Sequence, residues 1–385
     1  MKTIGLCICY DTKNYGSMLQ ALATYKIVSS LGYDYEIIRY TRKKTIGLVI
    51  RSLGRVPSEL KKCIAQKKRK KLLNKFPHLQ EQISQRNKFF DEFIDNYFYK
   101  TSLKCDTFKQ LKILARNYDA VLVGSDQLWR PEGYSTGFYN LLFVPDEIPK
   151  ISYSTSFGTN DIPNNKRRVA KKFLNRFSAI SVRELQGSQI VKQLTGKVVP
   201  TTLDPTLLLT VSEWKQNLKS SNERNKGNYI FCYFLGENPE HRKQAVKLQE
   251  LTGYKIITIP HLDDVVENDF TFGDEQLFNV GPAEFFYLIE NASYVLTDSF
   301  HGTVFSILNR KKFMTFNRYS EQSKNSRNSR IDSLCTLLNL QERRYGGQIK
   351  KIFNEIDFDS VENKLDDLKA QSISYLEQAL LQIKE

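Results

Sequence analysis

Five polar segments interrupt the apolar runs of this chain, and each carries residues able to bind an anion or move a proton. They are DTKNYGS (11–17), GSDQLW (124–129), SVRELQG (181–187), TDSFHGT (297–303) and NRYSEQSKNSRNSR (317–330). The fourth contains His301, one of four histidines in 385 residues, with Asp298 three positions ahead and Gly302 behind it. Histidine titrates near neutrality, so it can give or take a proton under ordinary conditions. The third holds Arg183, and the fifth holds Arg318, Lys324, Arg327 and Arg330. Cations in separate segments point to an anionic, phosphorylated ligand.

Taken singly, each residue has a bland explanation. A histidine after a strand can be a hydrogen-bonded turn residue. Arg183 beside Glu184 can be a surface ion pair of little energetic weight. Trp129 can be core, and Asp126 and Asp298 can cap the loops they begin. Their co-occurrence favours a site, because all fall where apolar strands end, in both halves of the chain.

The elements that must position them follow a βα rhythm. TIGLCICY (3–10) reads as a buried strand, NYGSMLQALATYKIVSSLG (14–32) as a helix closed by Gly32, and YDYEIIRY (33–40) as the next strand. This opening predicts a parallel sheet. A long polar helical region (80–100) follows, then strands within 118–130, 150–158 and 176–196. KVVPTTLDPTLLL (197–209), with two prolines, reads as a connection. Beyond it the pattern restarts, with strands at 228–236, 254–260, YVLTD and FMTFN, and ends in a charged helix from about residue 355. The expected class is α/β, with two Rossmann-like domains, 1–205 carrying an insertion at about 41–100, and 206–385 ending in the terminal helix. Ligands of open α/β sheets bind beyond the carboxyl ends of strands. His301 should therefore sit at the mouth of an interdomain cleft, beside a helix N-terminus that favours anions.

Composition narrows the class. With 41% hydrophobic residues and 44 Tyr and Phe, the chain can bury sizeable cores. No apolar run approaches the ~18 residues of a membrane span, and no cleavable leader is visible. The cysteines Cys7, Cys9, Cys63, Cys105, Cys232 and Cys335 form no CxxC pair and no zinc spacing, so they read as reduced thiols and no metal is expected. The net charge is +15, and Arg39–Lys75 carries most of it, with fourteen Lys and Arg against one acid, Glu59. Apolar residues Ile46, Leu48, Val49, Ile50 and Leu53 are interleaved there. This composition suits an anionic membrane surface, so a cytoplasmic protein peripheral to the inner face of the membrane is expected. A nucleic-acid arm and a plain solvated helix are the rival readings. No RRM, zinc-finger or helix-turn-helix pattern accompanies the basic run, so nucleic acid is not expected. Walker, GxGxxG, GxSxG and HExxH motifs are likewise missing in convincing contexts, which argues against an NTPase, a dinucleotide oxidoreductase, a serine hydrolase and a zinc protease.

NYGSMLQALATYKIVSSLGYDYEIIRY, YDAVLVGSDQLW, SAISVRELQG, TTLDPTLLL and ASYVLTDSFHGTVFSILN together resemble the polysaccharide pyruvyl transferase family, in the family's order and over roughly residues 3–330. The resemblance implies a GT-B-like fold with its active site in the interdomain cleft. It implies transfer of pyruvate from phosphoenolpyruvate to a sugar hydroxyl pair as a cyclic ketal, in capsular or exopolysaccharide assembly. It assigns His301 as general acid and Arg183 as a holder of the donor's phosphate or carboxylate. One position departs from the pattern. Characterised members often have arginine two residues before this histidine, where this chain has Ser299. Lys324, Arg327 and Arg330 are the candidates to supply that cation. Asn14, Tyr15, Gly16, Ser125, Asp126 and Ser299 complete the expected substrate-binding set.

The expected function is thus a pyruvyl transferase acting on a hexose such as galactose at O4 and O6. It needs no cofactor, its donor is phosphoenolpyruvate, and its acceptor glycan is expected to be lipid-linked. Two rivals stand beside it: a GT-B glycosyltransferase using a nucleotide sugar, and a noncatalytic glycan- or membrane-binding protein of an assembly complex.

Overall fold

The structure is a computed structural model describing residues 1–41, 76–218, 227–262, 266–319 and 328–383. The basic run after Thr41, together with Lys324 and Arg327, lies outside the described residues.

Two five-stranded sheets, parallel throughout, organise the chain. The first contains β1 (Thr3–Cys7), β2 (Asp34–Ile37), β3 (Ala120–Val123), β4 (Lys150–Thr155) and β5 (Ala179–Val182), in the order β2-β1-β3-β4-β5. The second contains β6 (Tyr229–Tyr233), β7 (Lys255–Thr258), β8 (Glu275–Gln276), β9 (Tyr294–Thr297) and β10 (Lys312–Thr315), in the order β10-β9-β6-β7-β8. The described α-helices are α1 (Tyr15–Ser30), α2 (His78–Tyr97), α3 (Phe108–Ala115), α4 (Asn164–Leu174), α5 (Leu185–Thr195), α6 (Val211–Asn217), α7 (Pro239–Thr252), α8 (Pro282–Glu290), α9 (Phe300–Leu308), α10 (Ser329–Leu337) and α11 (Phe358–Leu381).

The strands are legible because both of their faces are covered. β3, β4 and β6 are buried at every position, so β3 and β6 read as unbroken runs rather than alternating ones, and β4 does so after Lys150. The order in which strands are added reverses once in each sheet, between β1 and β3 in the first and between β6 and β9 in the second. The loops after these strands open a crevice there. They carry the segments 11–17 and 124–129 in one sheet and 297–303 in the other.

α1 joins the halves. Its N-cap Asn14 accepts the Ser17 amide at 3.0 Å, and nearly every side chain from Tyr15 to Val28 is buried. A helix buried on every face, polar Gln20 and Thr24 included, must be enclosed by other elements. α1 packs on β2, α8, α9 and the turn Pro205–Leu207. The connector therefore does more than link. Thr201 pairs with Val182, and Asp204 caps the 3-10 turn Pro205–Leu207. Although α11 follows the second sheet in sequence, it lies on the first. Tyr375 Oη donates to the Ser152 carbonyl at 2.9 Å, and Ser372 Oγ accepts the Leu203 amide at 3.0 Å.

Candidate active site

Arg183 directly follows β5 and is almost wholly enclosed, its side chain 2% exposed. Its Nη1 donates to Asp204 Oδ2 at 2.8 Å, its Nη2 lies 3.6 Å from Asp126 Oδ1, and its guanidinium stands 4.5 Å over the Phe300 ring. Nε and Nη2 have no hydrogen-bond partner among the described residues. Burial alone would favour losing the proton. The charges of Asp204, Asp126 and Glu184 outweigh it and hold the pKa above its ordinary value.

Asp204 is the hub of the cluster. Oδ1 accepts from the Thr206 amide at 3.0 Å and the Thr206 hydroxyl at 2.6 Å, and Oδ2 accepts from Ser125 Oγ at 2.8 Å as well as from Arg183. Burial opposes its ionisation, but His301, Arg183 and Thr206 hold its carboxyl well below the usual carboxylate range. Asp126 has a left-handed backbone, with φ 78°, where a non-glycine residue is strained. Its Oδ2 accepts from Ser17 Oγ at 2.7 Å. Burial again works against the charge, and Arg183, His301, Ser17 and Arg330 overcome it, leaving the pKa lowered. Glu184 goes the other way. Burial raises its pKa, only partly offset by Arg183 and by the Ser156 hydroxyl, which donates to Oε1 at 2.7 Å. The Arg183–Glu184 pair is thus a buried element of the cluster and not a surface ion pair.

His301 sits in the first turn of α9. Ser299 caps this helix, its Oγ accepting the Gly302 amide at 3.3 Å. The imidazole Nε2 is 3.7 Å from Asp204 Oδ1, beyond hydrogen-bond length, and has no partner among the described residues. Its other face lies on Gly16 of α1, where an added Cβ would fall 2.0 Å from Nδ1. Only glycine there lets the two halves of the chain meet at this ring. Arg330, in the first turn of α10, places its guanidinium 5.8 Å from the Phe300 ring, so Arg183 and Arg330 both approach one aromatic side chain.

The structure thus brings together His301, Arg183, Arg330, Asp126, Ser125 and Gly16. Asn14 and Ser299 serve as helix caps. Tyr15 is buried and packs between helices. Its ring stacks on Phe285 at 4.9 Å, its hydroxyl donates to the Val280 carbonyl at 3.1 Å, and Arg86 Nε donates to that hydroxyl at 3.1 Å, so it ties α1 to α8 and α2. Asp298 pins the loop after β6 by accepting the Leu235 and Gly236 amides at 2.7 and 2.9 Å, and Arg318 lies beside that loop at Gly236. Among the described residues no group of His, Cys, Asp and Glu could hold a metal ion, and no helix is long and apolar enough to cross a membrane.

The sequence profile of polysaccharide pyruvyl transferases matches residues 14–320. The chain belongs to that family. The matched span begins at Asn14 and takes in Asp126, Arg183, Asp204 and His301, whereas Arg330 lies beyond it. No curated relative matches the transferase at the sequence level. Solved structures show the fold. One described as a UDP-N-acetylglucosamine 2-epimerase from Listeria monocytogenes is 10% identical, with a TM-score of 0.53, covering 98% of this chain and 91% of that one. The S. aureus MnaA–UDP co-structure is 13% identical, with a TM-score of 0.50, covering 96% and 97%. The transferase has a GT-B-like arrangement of two Rossmann-like sheets, as expected.

Sequence reasoning missed Asp204, Glu184 and Phe300 as members of the site. Each stood inside a quoted motif, but nothing local shows that Asp204 of the connector meets β5 and α9. Glu184, next to Arg183, carried a signal: a carboxylate at the end of a strand buried on both faces cannot stay at the surface.

Proposed function

We propose that the transferase moves pyruvate from phosphoenolpyruvate onto two hydroxyls of one sugar residue. The product would be a 4,6-ketal on a hexose such as galactose, within capsular or exopolysaccharide assembly. The observation that carries this is the pairing, in one buried cluster, of a histidine whose Nε2 has no hydrogen-bond partner among the described residues, and lies 3.7 Å from Asp204, with an arginine whose Nε and Nη2 also have none. Buried donors without acceptors are costly, and a phosphate or carboxylate oxygen would satisfy them.

The chemistry follows from these groups. His301 gives its proton to C3 of phosphoenolpyruvate, and C2 becomes electrophilic. A sugar hydroxyl oxygen bonds to C2 and passes its proton back to the imidazole. Phosphate then leaves C2, and the second hydroxyl adds there to close the ketal, its proton going to the departing phosphate. Arg183 holds the donor's charge, and Arg330 supplies the cation that Ser299 does not. Asp204 and Asp126, kept ionised, fix Arg183 and provide negative charge opposite the imidazolium. The acceptor is lipid-linked in this reading, and the basic run 39–75 holds the enzyme at an anionic membrane surface.

The test is phosphate release from phosphoenolpyruvate with a panel of acceptor glycans, followed by mass measurement of the ketal. Thermal shift should show stabilisation by phosphoenolpyruvate and none by UDP-sugars. Stabilisation by a UDP-sugar alone would overturn the proposal.

A further inference from the structure

A cavity of about 740 Å³, lined by none of the cluster's own residues, opens at the carboxyl ends of β1 and β2. That volume lies within the range of small-molecule sites, ~300–1,000 Å³. Its walls are rich in rings: Tyr10, Tyr40, Phe98, Tyr99, Phe138 and Tyr139. Charged groups stand among them, with Asp11 and Asp95 as acceptors and Arg39 and Lys104 as donors. Tyr99 is 72% exposed, so its ring is open to solvent where it lines the cavity.

Two stretches of chain connect this cavity to the catalytic cluster. The loop after β1 passes from Tyr10 and Asp11 in the cavity wall to Gly16 against His301. The segment after β3 passes from Asp126 to Phe138 and Tyr139, with Trp129 Nε1 donating to the Tyr139 carbonyl at 3.0 Å. Tyr139 also meets Cys9, which lies in the field of Asp126.

Rings set among carboxylates match one ligand chemistry well. A pyranose has an apolar face of C–H bonds and an equatorial belt of hydroxyls. Its C–H face packs on an aromatic ring, and its hydroxyls donate to carboxylates and accept from arginine or lysine. We propose that this cavity is the acceptor site, binding a pyranose residue of the glycan with its C–H face on Tyr99 and its hydroxyls on Asp11 and Asp95. The proposal rests on the pyruvyl-transfer reading for what happens next, but the binding itself does not need it.

The test uses the full chain and the variants Tyr99→Ala and Asp95→Asn, both at exposed positions where folding is not at stake. Saturation-transfer NMR is recorded with methyl β-galactoside, methyl β-glucoside and methyl α-mannoside. At least one glycoside should be saturated most strongly at the protons of one ring face, and both variants should weaken that signal several-fold. With a working acceptor, Tyr99→Ala should raise the acceptor KM about tenfold, the scale of one lost aromatic contact, and leave the phosphoenolpyruvate KM unchanged. No saturation with any of the three glycosides, saturation undiminished in both variants, or displacement of the glycoside by UDP would overturn the proposal. The two readings fail separately. Phosphoenolpyruvate stabilisation without glycoside binding removes the acceptor site alone. Glycoside binding in the cavity without ketal formation removes pyruvyl transfer alone.

Discussion

Gly16 and His301 are 285 positions apart in the chain, yet they define one another's place. Gly16→Ala should keep α1, because alanine is a better helix former than glycine. Its methyl group would have to displace the imidazole, and misplacing a catalytic group by about 1 Å can cost about 10²-fold in rate. kcat should therefore fall about 100-fold in Gly16→Ala, beside a loss of about 10² to 10⁴ in His301→Ala. Steady-state kinetics on both variants checks this, and a normal kcat in either would remove His301 from the chemistry. Glu184 gives a prediction of a different kind. Its folded pKa is raised, chiefly by burial. An acid of this kind weakens the fold once the pH passes its unfolded value, near 4.3, and the loss is complete above its folded pKa. Glu184→Gln removes that loss. The variant's Tm, relative to the unmodified chain, should climb as pH rises from about 4 to 7. A difference that stays flat with pH would mean Glu184 is ionised in the folded protein as it is in the unfolded one.

The N-terminus of α9 separates two roles for Ser299 that the sequence leaves together. As an N-cap, Ser299 should cost about 1 kcal/mol of stability when replaced by alanine, with no change in phosphoenolpyruvate affinity. Arg330→Gln should do the reverse, weakening phosphoenolpyruvate about tenfold at little cost to Tm. Thermal melts and donor titrations on the two variants distinguish the roles, and loss of donor affinity in Ser299→Ala would return that residue to the binding set. The same element shows what the sequence could and could not say. β3, β6 and β9 are legible because strands covered on both faces read as apolar runs, and the polar segments after β3 and β9 read as facing a cleft. β8 was not legible, since it has two residues, Glu275 and Gln276, and no pattern. Nothing local in NYG shows that Tyr15 packs against α8, whose Phe285 its ring stacks on, because that contact depends on where the second half of the chain folds. Asp204 was hidden because its role depends on where a proline-containing connector folds back, which no local spacing encodes.

At the scale of the whole molecule, charge is divided from catalysis. The described cluster balances its cations closely, with Arg183 set between Asp204 and Asp126. The net charge of +15 instead comes mostly from the run between Arg39 and Lys75, which follows β2. That run leaves the sheet beside the aromatic cavity, since Arg39, Tyr40 and Thr41 line it. A lipid-linked acceptor would bring its sugar to that cavity while its lipid stays in an anionic bilayer. Each Lys or Arg near such a surface contributes about 1 kcal/mol, so a few suffice to hold the enzyme there. The interleaved residues Ile46, Leu48, Val49 and Ile50 would add apolar contact with the interface. Binding should therefore be strong to phosphatidylserine-containing vesicles at low salt, should weaken as salt rises, and should be slight to neutral vesicles. Replacing Lys67, Lys68, Arg69, Lys70 and Lys71 by Gln should weaken vesicle binding and spare turnover of a short, water-soluble acceptor. Vesicle sedimentation and phosphate release measure the two effects on one preparation. Equal binding to neutral and anionic vesicles, or a fall in turnover matching the loss of vesicle binding, would show that the basic run serves the active site and not the membrane.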